Sequence, residues 1–108
     1  MRLAPAVVCI SLTLLALPDG LRAQKDVAKV FSANCKLCHA ADGSGNSSSG
    51  KALGAKDLRS AEIQNKTDQE LTELIATGKG KMPAFGKKLQ PDDIKQLVAY
   101  VRSLAKGK

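Results

Sequence analysis

The 108-residue sequence has no tryptophan, one tyrosine and two phenylalanines, so its aromatic residues are Phe31, Phe85 and Tyr100. It has one histidine, His39, and apart from Met1 one methionine, Met82. Its three cysteines are Cys9, Cys35 and Cys38. Each scarcity excludes something. A structural zinc site needs four ligands, and Cys35, Cys38 and His39 leave it one short unless an acid or a second chain helps. A pI near 9.5 would suit nucleic acid, but no aromatic stacking platform accompanies the charge. So few large apolar side chains give a small domain little core, and such domains often depend on a disulfide, a metal or another bound group. No strand pattern and no internal repeat is present.

What is present begins with an apolar run. Arg2 precedes "LAPAVVCISLTLLALP", residues 3 to 18, then "DGLRA" and the polar "QKD". A basic start, an apolar stretch and small residues at a cleavage point describe a secretory signal peptide. The predicted cut follows Ala23, with Leu21 and Ala23 as the residues a peptidase reads. This assigns 1–23 to the signal and 24–108 to one domain. An uncleaved membrane anchor is the alternative, although the run is shorter than the roughly 20 residues of a spanning helix. Export removes Cys9 and Met1 and leaves the chain basic.

Beyond that point the apolar spacing is helical. Val27, Val30, Phe31, Cys35 and Cys38 predict a helix with one buried face over 25–39. Residues 41–51, "ADGSGNSSSGK", read as a flexible loop. Thr67 and Glu70 form a capping-box pattern ahead of Leu71, Leu74 and Ile75, with Gly78 as the stop. Residues 78–88 lack periodicity. Pro91, Asp92 and Asp93 open a last helix carrying Ile94, Leu97, Val98, Val101 and Leu104. The expectation is an all-α domain with three or more helices and two long loops.

"CKLCH", residues 35–39, carries the chemistry. Cys35, Cys38 and His39 at i, i+3 and i+4 share one side of a helix. C-x-x-C-H is the attachment signature of c-type haem: the thiols become thioethers and His39 becomes the proximal iron ligand. A thioredoxin-like thiol pair belongs at a strand-to-helix junction, which is not seen here, and a disulfide within the motif would be strained. A bis-histidine haem within one chain is excluded. The thioether left to ligate iron is Met82, which Pro83 biases towards extended backbone on its glycine-rich loop.

"CKLCH", then "KMPAFG", then a terminal helix ending "LVAYVRSLA" resembles the small class I c-type cytochromes over essentially all of 25–105. The resemblance implies the cytochrome c fold around one covalently bound haem c. It implies first and last helices crossing near Phe31 and Tyr100, thioethers at Cys35 and Cys38, and axial ligands His39 and Met82. Two positions depart from the family pattern. Val27 stands where a crossing-point glycine is frequent. "GKAL", Gly50 to Leu53, puts Lys51 where a proline carbonyl would accept the histidine's hydrogen bond.

Six ligands leave iron no vacant position, so outer-sphere one-electron transfer is expected rather than an enzymatic reaction. Lys79, Lys81, Lys87 and Lys88 flank the Met82 loop; they read equally as an ordinary solvated loop or as a basic ring steering the protein onto an acidic patch of a redox partner, with Ala84 and Phe85 as apolar contacts. The reading is a monomeric periplasmic or otherwise exported carrier serving an oxidase or photosynthetic centre, touching the membrane only through partners unless the N-terminal segment is retained. Two alternatives stay open: a haem sensor or peroxidase-like protein with a labile Met82, and a thiol oxidoreductase.

Overall fold

The computed structural model describes residues 2–15 and 19–107. Residues 2–15 are exposed and carry no helix, with Leu3, Val7, Val8 and Ile10 all open to solvent. No helix among the described residues is long and apolar enough to cross a membrane. Residues 16–18, which end the apolar run, and the side chains of Leu21 and Ala23 at the predicted cut lie outside the described residues.

Among the described residues six helices follow in order: α1 Asp19–Asn34, α2 Lys36–His39, α3 Ser48–Leu53, α4 Ala61–Gln64, α5 Asp68–Thr77 and α6 Pro91–Ala105. The described residues contain no β-strand, and one isolated pairing joins Lys79 to Met82. The domain is all-α, as expected. The single helix predicted over 25–39 is instead two. Cys35, at φ −118° and ψ −36°, opens the turn between α1 and α2, although Cys35 N still donates to Phe31 O at 2.8 Å.

The loop predicted over 41–51 is also shorter than expected. Ser47 accepts a side-chain hydrogen bond from Gly50 N and starts α3 inside it. The serine-rich stretch that reads as flexible is therefore partly a capping sequence. The box at Thr67 forms as predicted: Thr67 Oγ1 accepts from Glu70 N at 3.1 Å, and Thr67 N donates to Glu70 at 2.9 Å. At α6, Pro91 occupies the first turn and Gln90 N donates to the Asp93 carboxylate at 3.1 Å.

Two apolar clusters meet on α6. On one face Val27, Phe31 and Leu97 are buried, joined by Val30, Cys35, Leu89, Tyr100 and Leu104. On the other lie Ile63, Leu71, Val98 and Val101, joined by Leu74. Leu58 and Ile75 pack against both. The Phe31 and Tyr100 rings stand 4.8 Å apart at 46°, so α1 and α6 cross where the resemblance implies. Val27 is buried in that crossing. Its isopropyl group occupies space that a glycine would leave open.

Candidate functional site

Three of the four predicted site residues stand on one turn. Cys38 N and His39 N both donate to Cys35 O, at 3.2 and 2.9 Å, which sets Cys35, Cys38 and His39 on one side of the chain. Both cysteines are free thiols and half-buried. Burial, and then the neighbouring Cys38 thiol, push the Cys35 thiol up to about 11.

His39 Nδ1 lies 3.0 Å from Lys56 O. A carbonyl only accepts, so the ring proton sits on Nδ1 and the Nε2 lone pair stays available. The acceptor differs from the expected one. Lys51 belongs to α3, so the "GKAL" segment is wholly helix, and the carbonyl that meets His39 comes from the irregular stretch after it. Lys56, Asp57 and Leu58 reproduce the proline-x-leucine spacing in a register beyond the one chosen from sequence. Lysine in the proline position removed the cue that would have set that register.

The surrounding loops are drawn tight. Gly45 N donates to His39 O at 2.7 Å, Leu58 N to Gly43 O at 2.7 Å, and Ala55 N to Gly50 O at 2.9 Å. Ser47 Oγ donates to Leu37 O at 2.7 Å, with Cys38 O 3.2 Å away, and so fastens α3 to α2. Ala40, next to His39, has φ 65° and ψ 164°, backbone that glycine adopts freely and alanine at a cost of about 1–3 kcal/mol. Ser47 and Ala40 carry no individual signal in the sequence.

Met82 lies on a separate arm, half-buried in the loop after α5. Lys79 and Met82 exchange backbone hydrogen bonds of 3.1 and 3.0 Å. Phe85 N and Gly86 N donate to Ile75 O and Ala76 O, both at 3.0 Å, folding the loop back on α5. Gly78 permits the fold: at φ +71°, a Cβ would stand 2.6 Å from Met82 O. The two arms share one support, since Cys35 and Ile75 both pack against the Val27–Phe31–Leu97 cluster. Lys79, Lys81, Lys87 and Lys88 are exposed, as is Ala84. Phe85 is 7% exposed, which corrects the expectation that it contacts a partner. Its ring is buried with Lys88 Nζ 5.8 Å from the centroid.

Residues 22–101 match the family described as cytochrome c oxidase, cbb3-type, subunit III. The chain belongs to this family of c-type cytochromes. It is 37% identical over 94 residues to the cbb3-type cytochrome c oxidase subunit FixP of Azorhizobium caulinodans, covering 85% of this chain and 31% of that protein. It is 38% identical to cytochrome c6 of Gloeothece citriformis, covering 68% of this chain and 64% of that protein. The chain thus spans less than two thirds of either relative. A solved structure, the KustC0563 c-type cytochrome, superposes with TM-score 0.63 at 36% identity, covering 71% of this chain and 94% of that one. The cytochrome c fold is therefore the fold of this domain.

The group such a family implies is a covalently attached haem, and the residues fit it. Two free thiols and an imidazole whose Nδ1 is engaged stand on one turn, chemistry suited to porphyrin vinyl groups and to iron, while Met82 carries a thioether on its separate arm.

Proposed function

We propose that this protein is an exported electron carrier holding one haem c through Cys35 and Cys38, with His39 and Met82 as axial ligands. The observation that carries the reading is the His39 ring. With Nδ1–H donating to Lys56 O, it leaves Nε2 for a second partner on the turn that carries both free thiols. When bound, the haem supplies a reversible ferric–ferrous couple, which a His/Met ligand pair holds at raised potential.

The chain's own residues then have distinct tasks. Cys35 and Cys38 keep the group from dissociating after export. Lys56 O orients the His39 ring and raises its basicity. The Lys79–Met82 bonds and the Phe85 anchor hold the thioether on a loop tied at both ends, which supports a firm sixth ligand rather than a labile one. Lys79, Lys81, Lys87 and Lys88 form a basic surface for an acidic redox partner. The name of the FixP relatives points to an oxidase as one such partner; a photosynthetic centre is the other candidate. Residues 1–23 act as the export signal, and the domain begins at residue 24.

The test is a visible spectrum of protein coexpressed with c-type maturation machinery, before and after reduction. Sharp low-spin ferrous bands that survive acid–acetone extraction, and a weak far-red ferric band, are expected. Met82→Ala should abolish the far-red band and admit carbon monoxide at neutral pH. A wild-type protein that binds carbon monoxide as readily as Met82→Ala would overturn the Met82 assignment. A colourless folded protein would overturn the haem.

A further inference from the structure

The hydrogen bond that orients His39 spans two loops, and its acceptor is a backbone carbonyl with no proline to stiffen it. Lys56 sits between α3 and α4 on a stretch that could slide past the motif helix. Two features oppose that movement.

The first is Arg59. Its Nε and Nη2 donate to the two Asp57 carboxylate oxygens at 3.0 and 3.3 Å, while Nη1 lies 3.7 Å from Asp42 Oδ2 across the gap. Asp42 stands three residues beyond His39 in the other loop. The Ser44 hydrogen bond and Arg59 hold its carboxyl below the usual range, so it stays ionised. The Arg59 side chain is 22% exposed and that of Asp42 62%, so the fork orders loop 55–59 while the pair that crosses the gap is open to water.

The second is Gly45. It donates its N–H to His39 O at 2.7 Å, and a Cβ there would stand 2.7 Å from Ala55 O and 3.4 Å from Lys56 O. Its φ of +75° is a glycine conformation. The same residue thus touches His39 and the chain that carries the acceptor.

We propose that Arg59 and Gly45 are positioning residues for His39: they clamp loop 55–59 onto loop 42–45 and keep the Lys56 carbonyl on Nδ1. The redox consequence rests on His39 being an axial ligand; the clamp does not. A strong bond at Nδ1 makes the imidazole a better donor and favours ferric iron. Loosening the clamp raises the reduction potential.

The test uses the haem-loaded full chain with two substitutions that leave charge unchanged. Arg59→Lys loses the planar fork and cannot bond both Asp57 oxygens in parallel. Gly45→Ala drives a methyl against the acceptor loop. Two readings are taken: solvent exchange of the His39 Nδ1 proton by NMR, and midpoint potential by redox titration. Exchange should quicken roughly threefold or more. The ferric-to-ferrous ratio at fixed potential should fall about threefold, an upward shift of about 28 mV at 59 mV per tenfold. Lower Tm with wild-type exchange and potential would overturn the proposal and leave Arg59 a structural residue. Should Gly45→Ala fail to fold, Arg59→Lys decides alone. A wild-type spectrum without low-spin histidine ligation would overturn the ligand assignment and the redox half, while the exchange rates still judge the clamp.

Discussion

Arg102 offers the sharpest stability prediction. From α6 its Nη1 donates to Gln64 O at 2.8 Å and its Nη2 to Lys66 O at 2.6 Å, where α4 hands over to α5. Nη2 and Nε also reach Asp68 Oδ1, at 2.9 and 3.2 Å. Arg102→Met keeps the apolar stem and deletes the donors. Each part-buried carbonyl then loses a charged donor, worth about 1.5 kcal/mol net at the low end of the charged range because the Arg102 side chain is 29% exposed. The Asp68 pair adds only about 0.2–1 kcal/mol, because that carboxylate is 78% exposed. The total is about 3–4 kcal/mol, which for a domain of this size lowers Tm by about 12–32 °C. Thermal unfolding of the haem-loaded protein, followed by far-ultraviolet circular dichroism, measures it. Asp68→Asn is the internal comparison and should cost under about 1 kcal/mol. If Arg102→Met costs no more than Asp68→Asn, the carbonyls were satisfied by water and the reasoning fails.

Other expected outcomes follow from single positions. Leu97→Ala removes a side chain that is 1% exposed, and should cost about 2–5 kcal/mol by denaturant titration. Ala40→Gly relieves the backbone at φ 65° and should raise Tm by about 4–8 °C for a net gain near 1 kcal/mol; an unchanged or lower Tm would contradict the strain. Gly78→Ala forces a Cβ to 2.6 Å from Met82 O, so it should weaken or abolish the far-red band of ferric protein before it unfolds the domain. Cys35 gives a pH prediction. Its folded pKa is raised to about 11 from 9.0, so the folded thiol form binds more protons than the unfolded chain in that window. Stability of haem-free protein should therefore fall as pH rises from about 9 to about 11, by thermal melts. Thioether formation removes the titrating proton, and the loaded protein should lack this loss.

Much of the domain was legible because its signals are local. A threonine and a glutamate three apart cap α5 through two backbone bonds that need nothing else from the fold. Proline followed by two aspartates opens α6 for the same reason. Helical spacing exposed the buried side of α6 at Ile94, Leu97, Val98 and Val101. The motif at 35–39 was equally local, since one helical turn unites its three chemical groups. What escaped was non-local or carried by backbone. The acceptor for His39 is a carbonyl, which every residue possesses, so only the register of the chain selects Lys56. Ser47 belonged to a serine-rich run in which no single hydroxyl looked special. Phe85 read as a surface contact because its neighbours are lysines and glycines, yet its backbone bond to Ile75 turns the ring inward.

The two arms of the site depend on each other through α6. Cys35 leans on the cluster at one face of that helix, and α5, which carries the Met82 loop, leans on the other. Leu58 and Ile75 touch both clusters, and each is tied to an arm. Leu58 N is bonded to Gly43 in the loop after His39, while Ile75 O receives Phe85 N from the Met82 loop. Both loops therefore lean on side chains packed against α6 as well as on their own backbone bonds. Two small loops could not hold an iron between them against thermal motion, because short loops without a packed face open at little cost. Both are joined to side chains packed on the buried face of α6, at Ile94, Leu97, Val98 and Val101, so loosening that core loosens both. The firmness expected of the proposed sixth ligand thus rests on α6 as well as on the Met82 loop, and so does the proposed preference for electron transfer over ligand sensing.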